Sequence, residues 1–149
     1  MPTDELTGMD EQRIAGQIDA AVTEVFDLML QRACAPAACA AEPGLCACVR
    51  FSGAVEGGCE VTLSMTTAVR LTEALLGMDG AWDEAMVADA VGELCNMIAG
   101  GWKSRLGPVE AMCGMSVPAI PGGGGGGGGV RRGYVFEGGV FEVGLWVRS

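Results

Sequence analysis

A single asparagine, Asn96, occurs in this 149-residue chain, which contains no histidine. Glu93 stands three residues before it, Asp89 four residues before that, and Gly100 four residues after. A primary amide can donate and accept hydrogen bonds while staying neutral. Asn96 is therefore suited to holding a small polar reactant, such as water, in a fixed orientation, and Glu93 adds a carboxylate close by. Because Asn96 is unique, the pattern Glu-x-x-Asn can occur nowhere else in the sequence.

These residues need a rigid support, and the sequence around them reads as a helix. At about 100° per residue, Val87, Val91, Leu94, Ile98 and Trp102 fall on one side. Asp89, Glu93, Asn96 and Gly100 fall on the other, spaced by one turn or two. The apolar stripe must be the buried side, so the acid, the amide and the glycine face outward. Gly100, with Gly101 beside it, keeps that face low enough for another surface to approach.

The same residues resemble the CheC, CheX and FliY family of chemotaxis phosphatases. The family pattern is Asp or Ser, three residues, Glu, two residues, Asn, and a proline further on. Asp89, Glu93 and Asn96 keep that spacing, and Pro118 follows after residues 97–117. The run Glu-Leu-Cys-Asn-Met-Ile-Ala-Gly is similar to the family's central helix, and the order of elements agrees along nearly the whole chain. Of the family's members, the single-site proteins like CheX are the most similar.

The resemblance implies a phosphatase acting on the phosphoryl-aspartate of a response-regulator receiver domain of the CheY type. The receiver would bring the phosphate, a Mg²⁺ ion and a lysine, so this chain would need no cofactor or metal of its own. In the family the asparagine orients the attacking water and the glutamate pairs with the receiver lysine, which assigns catalysis to Glu93 and Asn96. Physics agrees on the amide: attack on a phosphoryl group is chiefly a problem of orienting water in line, and a carboxylate there would repel an already anionic group. Asp89 either contacts the receiver or steadies the helix by a local hydrogen bond, and Gly100 would lie in the partner-binding face. Two other readings stay open: a non-catalytic adaptor that binds a receiver through the same face, and a structural signalling subunit such as those of the flagellar switch. The resemblance also implies a homodimer, which exposed strand edges would permit.

Size and composition set the frame. A chain of 149 residues fits one domain, residues 1–149, able to bury a continuous core. Half the residues are apolar, yet no uninterrupted apolar run is long enough for a transmembrane span. The N-terminus lacks the basic and apolar regions of a signal peptide, so a cytoplasmic location is expected. A formal charge of −10 argues against nucleic acid as a partner. The spacing of the seven cysteines matches no zinc pattern, and most read as small buried apolar residues. Cys34 and Cys39 are the pair for which a redox or metal role stays open.

Along the chain, residues 1–9 read as frayed. Ile14, Ile18, Val22, Val25 and Met29 predict a helix from Asp10 to about Arg32. Cys34 to Gly44 reads as a loop, then Cys46–Ser52 and Cys59–Met65 as the strands of an antiparallel hairpin across Gly53–Gly58. Thr66 or Thr67 is expected to cap a helix that stops at Gly77. Asp79–Asp83 reads as a turn, with Asp83 as N-cap of the central helix, about 84–105. Lys103 in its last turn reads as solvated and favourable to the helix dipole. Strands are expected at Ala111–Val117, Val130–Glu137 and Phe141–Val147, with Gly138-Gly139 as a hairpin turn and Pro118 ending the first of them. The resulting order, α-β-β-α-α-β-β-β, is an α+β fold: an antiparallel sheet with helices packed on one face.

Gly122 to Gly129 is an unbroken glycine run. Phosphate-binding loops lead from a strand into a helix, whereas strands flank this one, so it reads as a flexible loop. On the first helix Asp19, Thr23 and Phe26 stand at the spacing of Asp89, Glu93 and Asn96. They lack the acid and the amide, so one site per chain is expected.

Overall fold

The structure is a computed structural model that describes residues 11–38, 44–77, 80, 82–108, 110–120 and 129–148. The segment expected to be frayed, Cys39, Asp79 and the glycine run up to Gly128 lie outside these residues. Helix α1 spans Glu11–Val25 and runs on into a wider π turn, Phe26–Leu30, which ends at Gln31 in the left-handed region. The remaining elements are β1 (Ala35–Ala37), β2 (Leu45–Ser52), β3 (Glu56–Leu63), α2 (Met65–Leu76), α3 (Glu84–Lys103), a 3-10 turn at Glu110–Met112, β4 (Gly114–Met115), β5 (Val130–Phe136) and β6 (Gly139–Arg148).

The strands form one six-stranded antiparallel sheet in the order β1-β5-β6-β3-β2-β4. Helices α1, α2 and α3 pack on one face, giving the α+β architecture expected from the sequence. The register is set by period-two patterning. Ala47, Val49 and Phe51 on β2 lie beside Cys59, Val61 and Leu63 on β3. Those neighbour Phe141, Val143 and Leu145 on β6, and all nine are buried. The β5–β6 turn passes through Glu137 and Gly138, both at positive φ, as a two-residue hairpin demands.

The sheet's other face is covered by its own long side chains. The Trp146 ring lies on Gly58, where a Cβ would collide with it, and Arg50 stands 5.9 Å from that ring. Arg131 lies over Gly144 and pairs with Glu60 at 2.9 Å and Glu142 at 3.5 Å. Burial works against the Arg131 charge, but its bonds to Glu60 and Glu142 outweigh it and raise the pKa.

Local differences from the sequence reading have physical causes. The segment read as a loop contains β1, because the edge of β5 offers Ala35–Ala37 a pairing partner. The strand expected over Ala111–Val117 shrinks to β4, since the 3-10 turn takes up its start. Helix α2 begins earlier than Thr66 or Thr67 would allow: Ser64 is its cap, accepting from Thr67 N at 3.2 Å. Met65 is thereby the first helical residue rather than a strand residue, and is 42% exposed.

Candidate functional site

Helix α3 begins where the sequence places it. Asp83 is extended, and its carboxylate accepts from Met86 N at 2.9 Å, satisfying one of the unpaired amides of the first turn. Val87, Val91, Leu94, Ile98 and Trp102 all point into the core, each no more than 2% exposed. Cys95 is also buried and seats the helix on the sheet. Its thiol donates to the carbonyls of Cys59, at 3.4 Å, and Ala47, at 3.6 Å. A hydrogen bond with the Cys59 side chain, then burial, drives the Cys95 pKa upward.

Contacts with α1 and the helix's own last turn fix its far end. A Cβ at Gly101 would stand 3.2 Å from Ala21 Cβ, so the two helices approach closely there. Trp102 Nε1 donates to Gln17 Oε1 at 3.1 Å. Ser104 and Arg105 both donate to the Gly101 carbonyl, and Arg105 also reaches Glu24 at 3.6 Å. Lys103 forms no ion pair among the described residues.

With α3 seated this way, Asp89 and Glu93 are exposed, and Asn96 and Gly100 are half-buried on the outward side. Among the described residues none of the three polar side chains makes a hydrogen bond or an ion pair. Asp89 thus has no local bond steadying the helix among the described residues. A Cβ at Gly100 would meet nothing within 4 Å, so the surface beyond Asn96 is open. The arrangement presents the Glu93 carboxylate and the Asn96 amide a turn apart and unspent among the described residues.

Pro118 approaches this face from the sheet. A Cβ on Gly92 would stand 3.2 Å from Pro118 Cβ and 3.3 Å from Ile120 Cδ1, and Gly92 is itself buried. Gly92 immediately precedes Glu93 and lies one turn before Asn96. Proline and motif helix, joined in the sequence only by the family pattern, are therefore in contact. The role of Gly92 was missed in the sequence. A glycine in a helix interior costs about 1 kcal/mol in propensity, and that unexplained cost was the available signal.

The corresponding face of α1 is built differently. The Asp19 carboxylate accepts from Arg132 at 2.8 and 3.0 Å and from the Tyr134 hydroxyl at 2.6 Å. Burial, and then this hydrogen bond, pushes the Tyr134 pKa up. Phe26, at the position of the amide, is 1% exposed, 5.3 Å from the Phe136 ring and 5.4 Å from the Phe141 ring. A groove lined by Asp19, Ala20, Thr23, Glu24, Asp27 and Leu28 runs along this helix.

Cys48, Cys59, Cys95 and Cys113 are buried, while Cys34 and Cys46 are half-buried. Cys34, Cys46, Cys59, Cys95 and Cys113 carry free thiols. No three His, Cys, Asp or Glu side chains among the described residues are grouped to hold a metal ion. No helix among them is long and apolar enough to cross a membrane.

Comparison with known proteins converges on one family. The family model of the chemotaxis phosphatase CheX matches residues 45–126, more than half of the chain. Comparison with curated proteins found no match. Among solved structures, chemotaxis protein CheX from Vibrio vulnificus is 20% identical with a TM-score of 0.75, over 91% of this chain and 96% of that one. Chemotaxis protein CheX from Desulfovibrio desulfuricans is 23% identical with a TM-score of 0.70, over 91% and 99%. The CheX–CheY–BeF₃–Mg²⁺ complex from Borrelia burgdorferi is 21% identical with a TM-score of 0.67, over 91% and 98%. The matched segment contains α2, α3 with Glu93 and Asn96, and Pro118, and the chain belongs to the CheX family.

Proposed function

We propose that the chain hydrolyses the phosphoryl-aspartate of a CheY-like receiver domain. One observation carries this reading: Glu93 and Asn96 stand a turn apart on the outward face of α3 with their polar groups unspent among the described residues. Family membership and the CheX–CheY complex among the structural neighbours support the receiver as partner.

In the proposed mechanism the Asn96 amide accepts from the attacking water and donates to the phosphoryl group. It holds the water in line with the bond to the aspartyl oxygen. The water oxygen bonds to phosphorus as the aspartyl oxygen–phosphorus bond breaks, and the products are inorganic phosphate and the free carboxylate. Glu93 pairs with the receiver's lysine and sets α3 in register, while Asp89 and Gly100 lie in the contact surface. Mg²⁺, brought by the receiver, neutralises phosphate charge. This chain supplies orientation, which alone is worth several kcal/mol of barrier.

The same proposal places the protein in the cytoplasm as a homodimer. Light scattering showing only a 15.2 kDa species would remove the homodimer. The decisive experiment times phosphate loss from a panel of phosphorylated CheY-like receivers with and without the protein. Faster loss from at least one receiver is expected. Binding with no change in any decay rate would replace the phosphatase by the adaptor.

A further inference from the structure

The segment from Ser116 to Ile120 runs along the free edge of β2 without forming a regular strand. Ser116 N donates to Arg50 O at 2.9 Å, and Cys48 and Ala119 exchange two bonds at 3.1 and 2.9 Å. Three steps along the segment thus face two steps along β2, which is a bulge with one extra residue. The Ser116 hydroxyl fills the gap in the ladder by accepting from Arg50 N at 2.9 Å and donating to Val117 O at 3.0 Å. Pro118, with no amide hydrogen to lose, occupies the bulge.

A bulge re-aims side chains. Pro118 turns onto Gly92, and Met115 and Ile120 pack against the core on either side. Val117, held between them, is 83% exposed, more than any other large apolar residue described. An apolar side chain fixed outward on a pinned bulge, with its neighbour seated on the residue before Glu93, is placed for a partner rather than for the fold.

We infer that the Ser116–Ile120 bulge is one wall of the Glu93/Asn96 site and that Val117 is its apolar contact with the phosphorylated receiver, with Gly92 as the positioning residue that seats the wall. The inference rests on the receiver reading above. The receiver is the occupant that fits because the wall is continuous, through Pro118 and Gly92, with the face that would meet the phosphoryl group. Val117 takes no part in the chemistry, so it acts on affinity alone.

The test measures binding of a panel of CheY-like receivers activated with beryllofluoride and Mg²⁺, alongside turnover of the phosphorylated forms. Val117→Asp should raise Kd and KM about tenfold, as expected for one well-placed contact, with kcat at saturation kept within about twofold. Gly92→Leu, which displaces Pro118, should raise KM and also lower kcat, whereas Gly92→Ala should recover most of both. Leu28→Asp, which adds the same charge at an exposed residue of the π turn after α1, is the control and should bind like the parent. Parent-like affinity in Val117→Asp, or an equal loss in Leu28→Asp, would overturn the inference. If the parent binds a receiver without speeding its decay, the phosphatase reading falls while Kd still decides the wall. If it binds none, both fall.

Discussion

The Tyr134 hydroxyl on β5 donates to the Asp19 carboxylate on α1 at 2.6 Å, and Arg132 completes the same carboxylate with two bonds. On α3 the residue at the equivalent place, Asp89, has no partner among the described residues. Two helices of related spacing therefore use their acids in opposite ways: one fastens the helix to the sheet, the other faces out. Asp19→Ala should destabilise the protein by about 1–3 kcal/mol, because it strands a buried hydroxyl and a guanidinium together. Receiver dephosphorylation at a temperature where the protein stays folded should be unchanged. Urea melts of Asp19→Ala and Tyr134→Phe check this, and a parent-like midpoint in Asp19→Ala would refute it.

Asn96→Ala should lower kcat on a phosphorylated receiver by on the order of 10²-fold, by analogy with removal of one positioned donor, and leave receiver binding intact. Stopped-flow decay of the phosphorylated receiver at saturating protein reads this. Unchanged decay would mean that Asn96 is not catalytic.

Glu93→Ala should act on binding and turnover together, since it removes a charge pair across the interface. The loss should shrink as salt rises and screens the parent's pair. Equal losses at low and high ionic strength would argue against a charge pair.

Leu94→Ala is the core counterpart on the same helix. Leu94 is fully buried, and truncating it should cost about 2–5 kcal/mol. Exposed Glu93 beside it should tolerate alanine within about 0.5 kcal/mol. Thermal melts of the two variants should therefore separate clearly, and similar melting points would mean that α3 is rotated from the orientation described.

Stability should fall at alkaline pH. Burial, and then the nearby Asp19 charge, pushes the Cys34 thiol from its ordinary value of 9.0 up to about 11. Tyr134 is also raised, by burial and by its bond to Asp19. Above pH 9 the unfolded chain releases these protons before the folded one does, so unfolding gains with each step in pH. The loss should set in near pH 9 and continue through about pH 11. A denaturant midpoint that stays flat from pH 8 to pH 10.5 would contradict it.

What could be read in advance followed the regularity of each element. Helix α3 was legible from end to end because its apolar period is unbroken and Asp83 is a strong cap. The outward positions of Glu93 and Asn96 followed from the same stripe. Strand β1 was not legible: Ala-Pro-Ala has no alternation and exists as a strand only because β5 lies beside it. At the start of α2, three hydroxyl residues stand close together, and only backbone geometry selects Ser64. Gly92 and Gly101 look alike in sequence. One receives Pro118 and the other Ala21, a distinction that depends on partners far along the chain.

Both outer strands of the sheet are stubs, β1 with three residues and β4 with two, and each has a proline in or near it, Pro36 and Pro118. A strand from another molecule arriving at either edge would find few amides in register and, at Pro36, none to offer. Among the described residues, growth of the sheet by templated addition, the route to fibrils, finds little to pair with at β1 or β4. Replacing Pro36 with a β-branched residue such as valine would reopen one end, and thioflavin fluorescence after prolonged incubation would show it.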